Sequence, residues 1–283
     1  MTLVDAHHHV WDLSVRDQDW LADPELSALR RDFTLADLAT EARAAGVDAT
    51  VLVQTVTVPD ETPELLAAAH RGPLVAGVVG WTDLTAPDVA DTLASLRELP
   101  GGERLVGIRH QVQGERDPHW LLRTDVRRGL AAVAAAGLAY DLVIHARQLP
   151  ATTEAARRLP QLTFVLDHLG KPPIAAAALH PWAGELAALA ALPNTVAKLS
   201  GLVTEADWAA WTPDGLRPFT DTALDAFGPD RLMFGSDWPV CRLAADYGRV
   251  LAAARELTAG LSAAESGALF AATAVRTYGL DLP

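Results

Sequence analysis

The 283-residue sequence has little sulfur: one cysteine and two methionines. Cys241 has no partner for an internal disulfide, and a site built on four thiolates is excluded. It reads as a small buried side chain. Aromatic residues make up only 6% of the chain. Positive charge is also scarce. There are 23 Lys plus Arg against 36 Asp plus Glu, a net charge of -13. No global basic field exists to draw nucleic acid or an anionic lipid surface. Long apolar runs are missing too. The longest stretch free of Asp, Glu, Lys and Arg is Pro172 to Gly184, 13 residues with three prolines. A membrane helix needs about 18 or more apolar residues. The first residues, Met1-Thr2-Leu3-Val4-Asp5-Ala6-His7, carry an acid and a histidine where a secretory signal would be basic and then apolar. The expectation is a cytoplasmic protein with no nucleic-acid or membrane partner. Composition leaves the oligomeric state open.

What the chain does have is apolar content, 50% of it, enough for a large core without clips. No linker, repeat or low-complexity tract interrupts it, so residues 1–283 read as a single domain. Short runs, apolar on both faces, recur at Leu3–Ala6, Ala49–Gln54, Leu74–Trp81, Leu105–Arg109, Tyr140–Ile144, Thr163–Asp167, Thr195–Leu199 and Leu232–Gly235. Strands of a parallel sheet covered by helices look like this. Helical runs lie between them. Thr34 with Asp37 predicts a capped start for Leu35–Ala45, which Gly46 stops. Further helices are predicted over 59–71, 86–98, 124–136, 151–159, 182–192, 205–227 and 244–257. Ser262 with Glu265 opens a last one that ends near Gly279. Strict strand–helix alternation closes into an α/β (β/α)8 barrel. A doubly wound sheet would carry a glycine-rich phosphate turn after its first strand, and here that strand runs into histidines.

A barrel places its chemistry where its strands end. Those ends are unusually polar: Asp5-Ala6-His7-His8-His9, Arg109-His110, His145, Asp167-His168, Lys198-Leu199-Ser200-Gly201 and Gly235-Ser236-Asp237-Trp238. His7 and His9, two apart on a strand, share one face about 6.6 Å apart at Cα. Two imidazoles so placed can ligate an ion or hold a water. His8 faces the other way and packs between sheet and helix. Asp237 ends an apolar strand, where a lone carboxylate is costly. It is expected to face a cation, the two imidazoles or a polarised water. The segment from Trp11 to Phe33 is long for a loop and should shape the site.

These motifs resemble the amidohydrolase superfamily, whose first strand ends in His-x-His. Asp167-His168-Leu169-Gly170-Lys171-Pro172 and Phe234-Gly235-Ser236-Asp237-Trp238-Pro239 are similar to its sixth and eighth strand ends. Gly107-Ile108-Arg109-His110-Gln111-Val112-Gln113 and Lys198-Leu199-Ser200-Gly201-Leu202-Val203-Thr204-Glu205 resemble its sugar-lactone hydrolase branch, which includes fuconolactonases and rhamnonolactonases. The resemblance implies a barrel that hydrolyses a sugar lactone to the aldonic acid. By position it implies Asp237 as general base, with His7, His9 and His168 around the reacting water. Arg109, His110, Gln113, Lys198 and Glu205 would contact a polyhydroxylated substrate, and Trp11 and Trp238 would wall its ring. His145 is a further contact or ligand. Strand 4 ends without lysine, so a carbamylated lysine bridging two metals has no source. Two routes remain. One divalent ion, zinc first, would sit on His7, His9 and Asp237, or Asp237 would deprotonate water without metal. The alternatives are a hydrolase or decarboxylase for muconate- or pyrone-type compounds, and a non-catalytic barrel that binds sugar acids.

Overall fold

The computed structural model describes residues 2–282. Eight strands, β1 (Val4–His8), β2 (Ala49–Val53), β3 (Val75–Gly80), β4 (Leu105–His110), β5 (Ala139–Leu142), β6 (Phe164–Leu166), β7 (Thr195–Leu199) and β8 (Leu232–Phe234), form one parallel sheet in sequential order. β8 returns to β1 just past its own end. His8 and Trp238 form a parallel bridge, Asp237 N–H donates to His7 O at 2.9 Å, and His9 N–H donates to Trp238 O at 2.7 Å. The barrel is thereby closed. Helices α1 (Leu35–Ala45), α2 (Glu61–Arg71), α3 (Val89–Arg97), α4 (Thr124–Ala135), α5 (Leu149–Arg158), α6 (Trp182–Ala190), α7 (Pro213–Phe227) and α8 (Tyr247–Leu257) lie between and after the strands. Both sequence-read capping boxes form, at Thr34 with Asp37 and at Ser262 with Glu265.

Two boundaries differ from the sequence reading in ways that bear on the site. β1 runs on to His8, because the His8 ring hydrogen-bonds Thr50 Oγ1 of β2 at 2.9 Å and stays inside the fold. The helix expected from Glu205 begins only at Pro213. Thr212 caps it by accepting from Gly215 N–H, and Pro213, which lacks an N–H, suits the first turn. Residues 205–212 are thus free to form a loop at the barrel mouth.

The barrel interior is layered. Val4, Ala49, Val79, Val165, Val196 and Met233 form an apolar cluster with Tyr278 and Leu280 near the chain end. Those last residues plug the mouth where the strands begin, which leaves the opposite mouth as the open one. Cys241 is fully buried, as the sequence reading has it, and burial pushes its thiol pKa up.

Candidate active site

Above the apolar plug the interior becomes ionic. Lys198 of β7 is fully buried, its Nζ 2.5 Å from Asp141 Oδ2, 3.0 Å from Asp167 Oδ1 and 3.0 Å from His7 Nδ1. Tyr278 donates its hydroxyl to Asp141 from below at 2.8 Å. Arg109 of β4 donates to Asp167 Oδ2 at 2.9 Å and to Gln54 Oε1 at 3.0 Å, with a further bond to Gln54 O. Burial alone would raise the Asp167 carboxyl, but Lys198, His7 and Arg109 hold it well below the usual carboxylate range. Burial pushes Asp141 up to about 6 against the pull of Lys198. Each charge in this layer has an opposite partner, which a site this deep requires.

The imidazoles and Asp237 lie one layer nearer the mouth. Asp237 Oδ1 is 3.6 Å from His9 Nε2, 3.8 Å from His7 Nε2 and 3.9 Å from His168 Nε2. His7 Nε2 and His9 Nε2 are 3.1 Å apart. The convergence expected from the strand ends is therefore present, with residues 7 and 237 sharing one centre. The backbone is strained to achieve it. Asp237 and His168 adopt φ of 57° and 53°, a left-handed region that non-glycine residues rarely occupy. Two glycines supply the room. A Cβ on Gly235 would meet His7 Cβ at 2.7 Å, and one on Gly201 would meet His168 Nδ1 at 2.6 Å.

Burial holds His7 well below its ordinary pKa, lowers His9 and brings His168 down to about 4. Burial raises Asp237, but the nearby His168 and His9 outweigh it and keep the carboxyl below its ordinary value. At neutral pH the centre therefore pairs an ionised carboxylate with neutral rings. A donor set of this kind suits a divalent ion. Ligands about 2.0–2.1 Å from a tetrahedral centre lie about 3.3 Å from one another. The separations of 3.1–3.9 Å here straddle that value. His7, His168 and Asp237 offer ligand atoms all within 4.8 Å of one another. His168 thus belongs with the donor set, alongside the sequence-read His7, His9 and Asp237.

The same burial gives stability an acid limb. His8, also enclosed, has its pKa brought down by burial to about 3. Below pH 6.5 the unfolded chain takes up protons that His8 and His168 refuse in the fold. Stability is complete above 6.5 and declines toward their folded values, by up to about 1.4 kcal/mol per pH unit per ring. Asp141 acts in the opposite sense between about 6 and its ordinary value of 3.8. Asp5, Glu61 and Glu205, also raised by burial, act in that same opposite sense, and the lowered rings of His7, His9, His110 and His145 join His8 and His168 to outnumber the four carboxylates. The Tm is expected to fall by about 5 °C or more between pH 6.5 and 4.5. A thermal melt series that stays level or rises over that interval would contradict this burial.

A cavity of about 250 Å³ opens above the centre, lined among others by His9, Trp20, Thr55, Arg109, Gln111, Gln113, His168, Lys171, Glu205 and Asp237. Gln113 Oε1 is buried without a hydrogen-bond partner. Lys171 and Glu205 stand 3.7 Å apart, and burial raises the Glu205 pKa. Several expected substrate contacts lie elsewhere. Lys198 is beneath the imidazoles, because a long side chain pointing inward from within a strand reaches the layer below the mouth. His110 is committed on both nitrogens, accepting from Trp81 Nε1 at 3.0 Å and meeting Glu115 Oε1 at 2.8 Å, and it stacks on Trp120. His145 is half-buried at the start of a 3-10 turn outside the cavity lining.

Trp238 is fully buried and donates to Glu41, and Trp11 packs on Trp20 and Phe33 while donating to Arg31 O. Neither walls the cavity. Trp20 does, carried there by the long loop and braced by Trp11. A larger groove of about 520 Å³, between that loop and helices α1 and α2, shares no lining residue with the cavity above the imidazoles and Asp237. Trp20→Ala is expected to raise KM about tenfold with little change in kcat, since it removes a stacking face without touching Asp237. A Michaelis–Menten comparison with wild type checks this, and an unchanged KM would reject Trp20 as a binding wall.

Asp141, Asp167, Gln54 and Trp20 were not among the sequence-read site residues. Asp141 did carry a signal, as a charge inside an otherwise apolar strand, which needs a buried partner. Trp20 lies in the Trp11–Phe33 segment expected to shape the site, and Gln54 is the polar end of a predicted strand, but nothing in the sequence singles out either residue.

The amidohydrolase family description matches residues 4–280. The chain is 42% identical to an L-fucono-1,5-lactonase of Burkholderia multivorans, over 99% of this chain and 97% of that protein. It is 39% identical to an L-fucono-1,5-lactonase of Burkholderia ambifaria, over 99% and 96%. Among solved structures, an amidohydrolase from Burkholderia multivorans with bound zinc superposes with a TM-score of 0.94 at 41% identity, covering 99% of this chain and 100% of that one.

Proposed function

Because this chain belongs to the amidohydrolase family, we propose that it hydrolyses a sugar lactone of the L-fucono-1,5-lactone kind to the open aldonic acid. The observation that carries the reading is Asp237, an ionised carboxylate held within 3.6–3.9 Å of three imidazole nitrogens at the floor of a polar cavity. Asp237 takes a proton from a water held among His7, His9 and His168. The resulting hydroxide adds to the lactone carbonyl. Arg109, anchored by Asp167 and Gln54, faces the cavity and stabilises the oxyanion. When the ring C–O bond breaks, the proton on Asp237 passes to the departing alkoxide. The interactions that keep Asp237 ionised also make it a weak base, so oxyanion stabilisation has to supply much of the rate.

Gln113 Oε1, buried and unpartnered, accepts a substrate hydroxyl. Trp20 lies against an apolar face of the sugar. The donor set fits one divalent ion, with His7, His9, His168 and Asp237 as its holders. A zinc ion there would lower the pKa of bound water to about 7. Pyrone-type dicarboxylates are served less well. Among the described lining residues the cations are Arg109, which serves the oxyanion, and Lys171, which stands beside Glu205, so neither is left over for a second carboxylate.

We place this chemistry in one domain spanning 1–283 and in the cytoplasm, with a small molecule as partner. No helix among the described residues is long and apolar enough to cross a membrane. A panel of sugar lactones followed by acid release, with and without chelator, tests the reading. Turnover of L-fucono-1,5-lactone or a close stereoisomer is expected. A panel with no turnover, with or without added zinc, would reject it.

A further inference from the structure

We infer that Lys198 sets the tautomer of His7, holding the ring proton on Nε2 so that an N–H, rather than a lone pair, points at the reaction centre. Two independent contacts lead there. Lys198 Nζ is 3.0 Å from His7 Nδ1, and an ammonium can only donate, so Nδ1 is the acceptor. On the other side of the ring, His9 Nδ1 lies 2.7 Å from Val53 O, which can only accept. His9 therefore carries its proton on Nδ1 and turns a bare Nε2 toward His7 Nε2, 3.1 Å away. A contact between two ring nitrogens needs one proton, and only His7 can supply it. Arg109 Nη1 also approaches His7 Nε2, at 3.4 Å, but its closer partner is Asp167 Oδ2 at 2.9 Å.

Lys198 is thus a positioning residue, acting through His7. In this tautomer His7 gives its Nε2–H to His9 Nε2 and offers the centre no lone pair. A divalent ion would need the lone pair of Nε2 instead. The proton would then have to sit on Nδ1, where Asp167 Oδ1 is 3.3 Å away and has no hydrogen bond of its own. Lys198, 3.0 Å from that same oxygen, would have to give up Nδ1. The fold offers both arrangements, and the ammonium favours the one that does not bind metal. Partners behind a ligating histidine change metal affinity by about 10–100-fold.

This inference rests on His7 belonging to the reaction centre, but its test does not depend on turnover. Long-range proton–nitrogen NMR of chelator-treated wild-type protein carrying 15N-histidine, with His7→Gln to assign the signal, distinguishes the two tautomers. The Nε2–H form is expected, and the Nδ1–H form would overturn the inference. Zinc affinity, measured by competition with a chelating dye, supplies the second readout. Lys198→Met is expected to bind zinc at least about tenfold more tightly than wild type. Equal or weaker binding would overturn the inference. If Lys198→Met does not fold, the double variant Lys198→Met with Asp141→Asn removes both members of the buried pair, and the same tightening is expected of it. A lactone panel without turnover, beside an Nε2–H signal, would reject the lactonase reading and leave the tautomer assignment standing.

Discussion

Asp237→Asn is expected to lower kcat/KM by about a thousandfold or more while leaving the protein folded. The amide keeps the shape of the side chain but cannot take a proton, and removing a general base costs about 10²–10⁴-fold. The fold should tolerate it. The nearest charged or ionisable groups lie 3.6–3.9 Å away, too far for a strong bond whose loss would unfold the barrel. Removing the buried carboxylate also removes a desolvation cost, which offsets part of the favourable His168 and His9 interactions lost with it. The Tm should stay within about 3 °C of wild type. The measurement is lactone turnover alongside a thermal melt. Turnover within tenfold of wild type would remove Asp237 from the base role and shift attention to the imidazoles.

Arg109→Leu is expected to damage both activity and stability. With the guanidinium gone, Asp167 loses its 2.9 Å donor, and both Gln54 oxygens lose theirs. Breaking one side of a buried pair costs about 3–5 kcal/mol. Lys198 remains beside Asp167 and offsets part of that loss, so the low end of the range is expected, with a Tm lowered by about 6–12 °C. Loss of oxyanion stabilisation should cut kcat by about 10²–10³-fold in the protein that still folds. Arg109→Lys should recover less than a tenth of the lost activity, because an ammonium cannot span Asp167 and Gln54 as the planar fork does. Kinetics and chemical denaturation on the two variants decide this. If Arg109→Leu kept kcat but lost stability, the residue would be a strut and nothing more.

The two variants separate what the barrel asks of its two polar layers. Asp237, His9 and His168 lie at the floor of the cavity and deal with the substrate. Arg109 reaches the cavity from the layer below, and Lys198, Asp141, Asp167 and Tyr278 remain in that layer. The lower layer fixes the rings of the upper one, so an error there is read out as misplaced chemistry as well as lost stability.

Strand–helix alternation was legible because apolar runs of four to eight residues in a fully covered sheet have no other good assignment. The same logic marked His7, His9, His168 and Asp237, since polar residues that end apolar strands must converge at one mouth of a closed barrel. Helix starts were less legible. The run from Glu205 keeps helical composition for eight residues before Pro213, and only Thr212 followed by Pro213 marks where the helix begins. The cavity walls were least legible. Trp11, Trp20 and Trp238 are equivalent by composition, and their placement depends on how residues 11–33 pack on Phe33 and against the turn after β8.

The order of elements, the closed barrel and the four polar side chains that meet toward its open mouth follow from local pattern along the chain. A strand's period of two and its rise of about 3.3 Å per residue carry that information locally. How deep each polar side chain sits, and which of its neighbours it faces, depends on long-range packing. Lys198 and His110 both come near strand ends, yet one descends beneath His7 and the other turns into a slot between Trp81, Glu115 and Trp120. In the Lys198 case the difference comes from partners far away in the chain, since Lys198 is 191 residues from His7. Contacts of that range form only when the barrel closes.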